Sequence, residues 1–294
     1  MKNGFIVFLA AVVALGASWC GLVLAPMLQL GGAKQTVVLQ STDAWPQQRT
    51  GEATLGLQVY RANGCAACHT EQVRQDSVAA EVSLTDLGSH KADDFKAFAQ
   101  SLFILPELQP FTNALAANLK DWNGALPKVF LSTGDKVIAD EMVQRVNAAG
   151  VKSEARIVAT GADIARGWGA RRSVAADFLY DNPVQLGSLR AGPDLANIGV
   201  RAPDANWQLQ HLYAPKSVTP NSTMPSFRYL FTVQKIGSAP SPDALKLKDK
   251  FAPAAGFEVV PTVEAKELAA YLLSLRANVP LYEAPFTPAV AAKP

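Results

Sequence analysis

Cys65-Ala66-Ala67-Cys68-His69 is the stretch that most limits what this chain can become. Two thiols separated by two residues, with histidine next, is the spacing that bonds one porphyrin edge and carries an imidazole under its iron. A fold built on it wraps one covalent haem c, and that haem is the main cross-link to expect. Two other chemistries use a C-x-x-C pair. A zinc knuckle wants a second Cys/His pair to complete four ligands. The remaining cysteine is Cys20, inside an apolar run, and the remaining histidines, His90 and His211, lie far apart. A thioredoxin-like redox pair belongs at a strand-to-helix turn, whereas this pair follows a helix-like segment. Three cysteines leave no disulfide framework.

A haem iron bound by His69 needs a sixth partner or an open site. Of the four methionines, Met1 and Met27 belong to the apolar N-terminal end, and Met142 lies on a helix-like face that core packing explains. Met224 sits in a loop immediately before Pro225 and is the leading ligand. His211, in the helical stretch Asp204 to Tyr213, is the rival, with a simple hydrogen-bonding role as its plainer reading.

From Gly4 to Ala33 there is no charged residue, and Phe5 to Leu24 reads FIVFLAAVVALGASWCGLVL. About 20 such residues cross the hydrocarbon core as a helix. A cleaved signal peptide has a shorter apolar region, about 7–15 residues, and a small-x-small cleavage site, whereas this run is longer and Pro26, with Met27 and Leu28 beyond it, offers no clean site. Lipoprotein processing at Cys20 is disfavoured by bulky Trp19 before it. An uncleaved anchor over 1–30 is the expectation, with Lys2 before the span giving a positive-inside signal for a cytoplasmic N-terminus. Residues 31–50 read as a linker, and nothing before Thr50 looks necessary to a haem core. The formal charge of +2 over 294 residues gives no argument for nucleic acid.

Farther along, Leu55, Val59 and Ala62 fall at helical spacing, with Gly56 and Tyr60 one turn apart on a neighbouring stripe. Thr262 can cap a helix whose Leu268, Tyr271, Leu272 and Leu275 form one face. The pair resembles the N- and C-terminal helices of class I cytochromes c, although two ordinary amphipathic core helices would show the same pattern.

From Trp168 to Leu230 the resemblance narrows. WGARRSVAADFLYDNPVQLGSLRAGPDLANIG, then HLYAPKSVTPNSTMPSFRYL, is similar to the mono-haem membrane subunit of cbb₃-type cytochrome c oxidases, as is GCAACHTEQVR at Gly64 to Arg74. The resemblance implies that Cys65 and Cys68 attach the haem, with His69 proximal and Met224 distal to its iron. By likeness to cytochromes c, the Pro193 carbonyl would accept the His69 ring N–H, and Leu195 would pack on the macrocycle. Arg190 would face a haem propionate, unless it is simply a solvated surface residue.

The implied fold is mainly α: a transmembrane helix and a class I cytochrome c-like domain (51–83 and 162–276). A small inserted α/β subdomain over 84–161 departs from the family. There KVFLS, a helix face through Ile138, Met142, Val143 and Val146, and RIVAT form a βαβ-like unit. Upstream, Ala92 to Ala117 is helix-like, broken near Pro106 and Pro110. The ends of the insertion should meet in space. Residues 277–294 form an irregular, proline-marked tail.

The resemblance implies a respiratory electron-transfer subunit with no oxygen-reducing site of its own. Its partners would be a donor cytochrome, other cytochrome c subunits and the haem–copper catalytic subunit. It would cross a bacterial inner membrane once, with the haem domain on the periplasmic side. The cytochrome c subunit of nitric oxide reductase and a membrane-anchored haem sensor are the alternatives.

Overall fold

The computed structural model describes residues 3–38, 42–49, 51–102, 109 and 112–279. Pro106, Pro110 and the tail from 280 lie outside the described residues. By contacts the chain divides into two units, 1–72 with 173–276 and 73–172 with 277–294.

The first unit opens on helix α1 (Gly4–Trp19), a π turn at Cys20–Leu24, and α2 (Ala25–Leu30). Pro26 lacks an N–H to donate one turn back, and a π turn is one way a helix absorbs such a gap. The span Gly4–Gln29 has 26 residues and a mean hydropathy of 2.4, long and apolar enough to cross a membrane. No residue of α1 is buried.

Beyond it, β1 (Thr36–Val37) pairs antiparallel with β2 (Ala44–Trp45). The stretch that follows is not a free linker. Trp45 Nε1 donates to Asp177 Oδ1 at 2.8 Å, and Arg49 forks onto both carboxylate oxygens of Asp181. Sequence alone gave these residues no partner, because both aspartates lie over a hundred positions away. Asp181 is almost buried, so losing Arg49 strands a desolvated charge. A soluble form beginning at Gly31 is therefore expected to melt like the full chain. One beginning at Gly51 should lose about 3 kcal/mol, which thermal melts of the two will show.

Helix α3 (Gly51–Ala62) turns Ala53, Gly56 and Tyr60 inward, while Leu55 stays half exposed. The small residue decides which stripe faces the core.

The second unit begins with β3 (Ser77–Asp86), followed by α4 (Ala92–Leu102), α5 (Thr112–Lys120), β4 (Lys128–Thr133), α6 (Lys136–Ala148), β5 (Lys152–Thr160) and α7 (Ala162–Ala165). The sheet order is β4-β3-β5, with β3 antiparallel to both neighbours. Sequence reading supplied β4, α6 and β5 as a βαβ-like unit and missed the strand between them. Ser77–Asp86 is rich in Ala and Ser and carries little β-branched signal, yet Ala80, Val82 and Leu84 are fully buried. The strand begins ahead of position 84, where the insertion was expected to open. Core residues from α4 and α5 (Phe95, Leu115), β4 (Phe130) and α6 (Met142, Val146) pack with this face. In register on β3's alternate positions, Glu81 lies between Ser132 and Arg156. Asp135 caps α6 by accepting from Val137 N. The two ends of the unit meet: Arg74 N donates to Asp163 Oδ2 at 2.8 Å, and Arg172 N to Gln75 Oε1 at 3.3 Å.

Back in the first unit come α8 (Ile198–Arg201), α9 (Ala205–Tyr213), α10 (Pro215–Val218), the hairpin β6 (Phe231–Lys235) with β7 (Phe257–Pro261), and α11 (Val263–Ser274). Thr262 Oγ1 accepts from Ala265 N and starts α11. A Cβ on Gly56 would lie 1.9 Å from Glu267 O and 2.8 Å from Tyr271 Cβ, so α3 and α11 cross with backbone nearly touching. Tyr60 and Tyr271 meet as a tilted pair beside that crossing, with ring centroids 5.1 Å apart and planes at 54°. Taken whole, the chain mixes helix and sheet rather than being mainly helical, because the sheet of the second unit adds to the hairpin of the first.

Candidate functional site

The site grows from the end of α3. Asn63 N and Nδ2 both donate to Val59 O, and Gly64 takes the left-handed conformation at φ 66°, which turns the chain out of the helix. A single 3₁₀ turn follows at Cys65–Ala67, with Cys68 N donating to Cys65 O at 3.1 Å. Residues three apart eclipse in an ideal 3₁₀ turn, the spacing that bonding to one porphyrin edge requires. Both cysteines are free, and burial pushes the Cys65 thiol up to about 12.

His69 follows directly, and its Nδ1 lies 2.7 Å from Pro193 O. A carbonyl can only accept, so Nδ1 carries the proton and Nε2 keeps its lone pair. The loop bringing Pro193 is bonded along the motif: Ser188 N to Ala66 O at 3.0 Å, Gly192 N to Cys68 O at 2.9 Å, and Leu195 N to Thr70 O at 2.8 Å. Gly192 has to be bare, because a Cβ there would sit 2.2 Å from His69 Cε1.

Arg190 turns inward to this loop. Its Nε donates to Thr70 Oγ1 at 2.8 Å, and Nη2 donates to Gln72 O and approaches Asp194 Oδ2 at 3.4 Å. Asp194 is fully buried, and it also accepts from Thr70 Oγ1 at 2.5 Å, Gln72 N at 2.9 Å and Ala196 N at 2.8 Å. Arg190 and Asp194 thus hold the loop against the motif. Sequence reasoning passed over Asp194, although an acid inside the turn-rich Gly192-Pro193-Asp194-Leu195 was the available signal.

Leu195 is buried in a core that includes Tyr60, Leu212 and Tyr271, against which Cys65, Ala66, Met224 and Phe227 also pack. The Met224 loop is pinned on both sides of the methionine. Met224 N donates to Ser222 Oγ at 3.2 Å, and Phe227 N donates to Leu212 O at 2.8 Å. Structure and sequence thus place Cys65, Leu195 and Met224 around one apolar cluster, with Cys68 and His69 in the same turn as Cys65.

Glu71 was also missed. It is 3% exposed, and Tyr271 Oη donates to both its carboxylate oxygens at 2.9 and 2.8 Å. Burial pushes this carboxyl up to about 8, against the opposing pull of Tyr271 and Arg49. Arg49 stacks over the Tyr271 ring at 5.2 Å. The first unit's strap, its closing helix and the residues just past His69 therefore share one buried polar cluster.

Among the described residues of the first unit, three buried nitrogens have no hydrogen-bond partner: Arg49 Nε, Arg201 Nε and His211 Nδ1. With the lone pair on His69 Nε2, the unpartnered Arg201 Nε fits a planar group with an acidic edge seated beside His69. Among the described residues no three His, Cys, Asp or Glu side chains converge as a metal site; a porphyrin supplies four of its iron's ligands itself and asks the protein for one or two.

Residues 157–267 match the family model described as cytochrome C oxidase, mono-heme subunit/FixO. No curated protein matches the chain. The matched stretch carries the Arg190–Leu195 loop, His211 and Met224, and the Cys65–His69 turn lies before it.

Proposed function

We propose, from the match of residues 157–267 to the mono-haem subunit family of cytochrome c oxidases, that this chain is the electron-transfer subunit of a cbb₃-type oxidase. In this reading Gly4–Gln29 anchors it in a bacterial inner membrane, and the first unit is a class I cytochrome c-like domain on the periplasmic side. It would receive single electrons from a donor cytochrome and pass them toward the haem–copper catalytic subunit, alongside other cytochrome c subunits. The second unit would be a docking or bracing element.

The observation that carries the reading is the Cys65–Cys68 turn followed by a His69 whose Nδ1 is anchored on Pro193 O. When bound, the haem supplies one-electron iron chemistry. The chain's own part is placement. Cys65 and Cys68 would hold the macrocycle by thioethers. Pro193 O fixes the His69 ring, which presents Nε2, and Arg190 with Asp194 braces the loop that does so. Leu195 and the surrounding apolar core exclude water. Met224, on its pinned loop, would hold the group together with His69. Arg201, whose Nη2 donates to Asp194 O and whose Nε has no partner among the described residues, would join Arg190 as a cation for a haem carboxylate.

Met224→Leu tests the assignment. The haem is expected to stay covalently attached while the near-infrared sulfur-to-iron band disappears and the reduction potential falls. An unchanged band would move the sixth ligand elsewhere.

A further inference from the structure

His211 stands one residue before Leu212, whose carbonyl receives Phe227 N–H and so ties the Met224 loop to the last turn of α9. Its ring lies flat on Trp207, with centroids 4.9 Å apart and planes 5° from parallel. Trp207, Leu209 and Met224 all pack on the cluster that holds Leu195 and Cys65. Burial lowers the proton affinity of the His211 ring, so it is a neutral imidazole with one N–H and one lone pair. Yet Nδ1 is sealed from solvent and has no hydrogen-bond partner among the described residues. Buried polar groups in native proteins are paired, and an exception asks what completes it.

We infer that His211 is a positioning residue on the Met224 side of the haem, its ring N–H donating to the Met224 thioether once that sulfur is drawn onto the iron. A thioether has two lone pairs. One goes to the metal, and the second is a weak acceptor free for an imidazole N–H. Held in this way, the sulfur keeps its orientation and leaves the iron less readily. The inference rests on the haem reading above and assigns His211 an outer role, not that of a ligand.

The test uses the full chain matured with its haem, comparing wild type, His211→Phe and His211→Gln. Phenylalanine keeps the stacking on Trp207 and removes the hydrogen bond, while glutamine restores a donor. Covalent haem is expected in all three. In His211→Phe the sulfur-to-iron band should shift, and exogenous imidazole should displace Met224 about tenfold faster, a change of about 1.4 kcal/mol in barrier. His211→Gln should recover most of both. Wild-type band position and displacement rate in His211→Phe would overturn the inference while leaving the haem reading intact. So would loss of the haem in both variants, or a low-spin bis-histidine spectrum in Met224→Leu that His211→Phe abolishes. A wild-type chain without covalent haem would instead defeat the haem reading itself.

Discussion

Gly56→Ala is expected to lower the melting temperature of the first unit by on the order of 10 °C. In an exposed helix the same change would stabilise by about 1 kcal/mol, since alanine is the better helix former. Here the added methyl meets Glu267 O at 1.9 Å and the Tyr271 Cβ at 2.8 Å. The first contact is backbone inside α11 and cannot rotate away, so the helices must separate. Overpacking of this kind costs about 3 kcal/mol, which outweighs the gain in helix preference and makes the change destabilising. Separation would also disturb Tyr271, and with it both hydrogen bonds to buried Glu71. Thermal melts followed by far-ultraviolet circular dichroism will check it. Gly51→Ala, in the first turn of α3 with open space around its missing Cβ, should be harmless by comparison.

The features legible in the sequence were those that are local in it. The Cys65–His69 turn, the Thr262 cap and the Tyr271 face each depend on residues within one or two helical turns, and periodicity or capping chemistry reports them directly. The Met224 loop was legible through its proline and through the resemblance. What escaped depends on distant pairs. Trp45 and Arg49 read as linker because Asp177 and Asp181 lie on the far side of the second unit in sequence. Nothing local shows Arg190 turning back to Thr70 and Asp194. Strand β3 hid behind its alanines, since burial at the centre of a sheet can be satisfied by small residues that carry no strand preference. The stripe of α3 that faces inward was decided by what crosses it, and α11 lies some two hundred residues away.

The second large effect belongs to the cysteines. Cys65→Ala with Cys68→Ala removes both sulfurs from the 3₁₀ turn without disturbing its backbone bonds, because alanine tolerates that conformation. Ligation by His69 and Met224 alone would hold a haem reversibly, and it would be lost on denaturation. The most direct measurement is therefore a haem stain of the denatured polypeptide on a gel, paired with the pyridine haemochrome spectrum. Wild type and the double variant should be purified from membranes of a host that matures c-type cytochromes. Covalent attachment through Cys65 and Cys68 predicts haem that stays with the wild-type chain through denaturation and is absent from the denatured double variant. Wild-type haem extracted by acid acetone, or haem still bound to the denatured double variant, would contradict it.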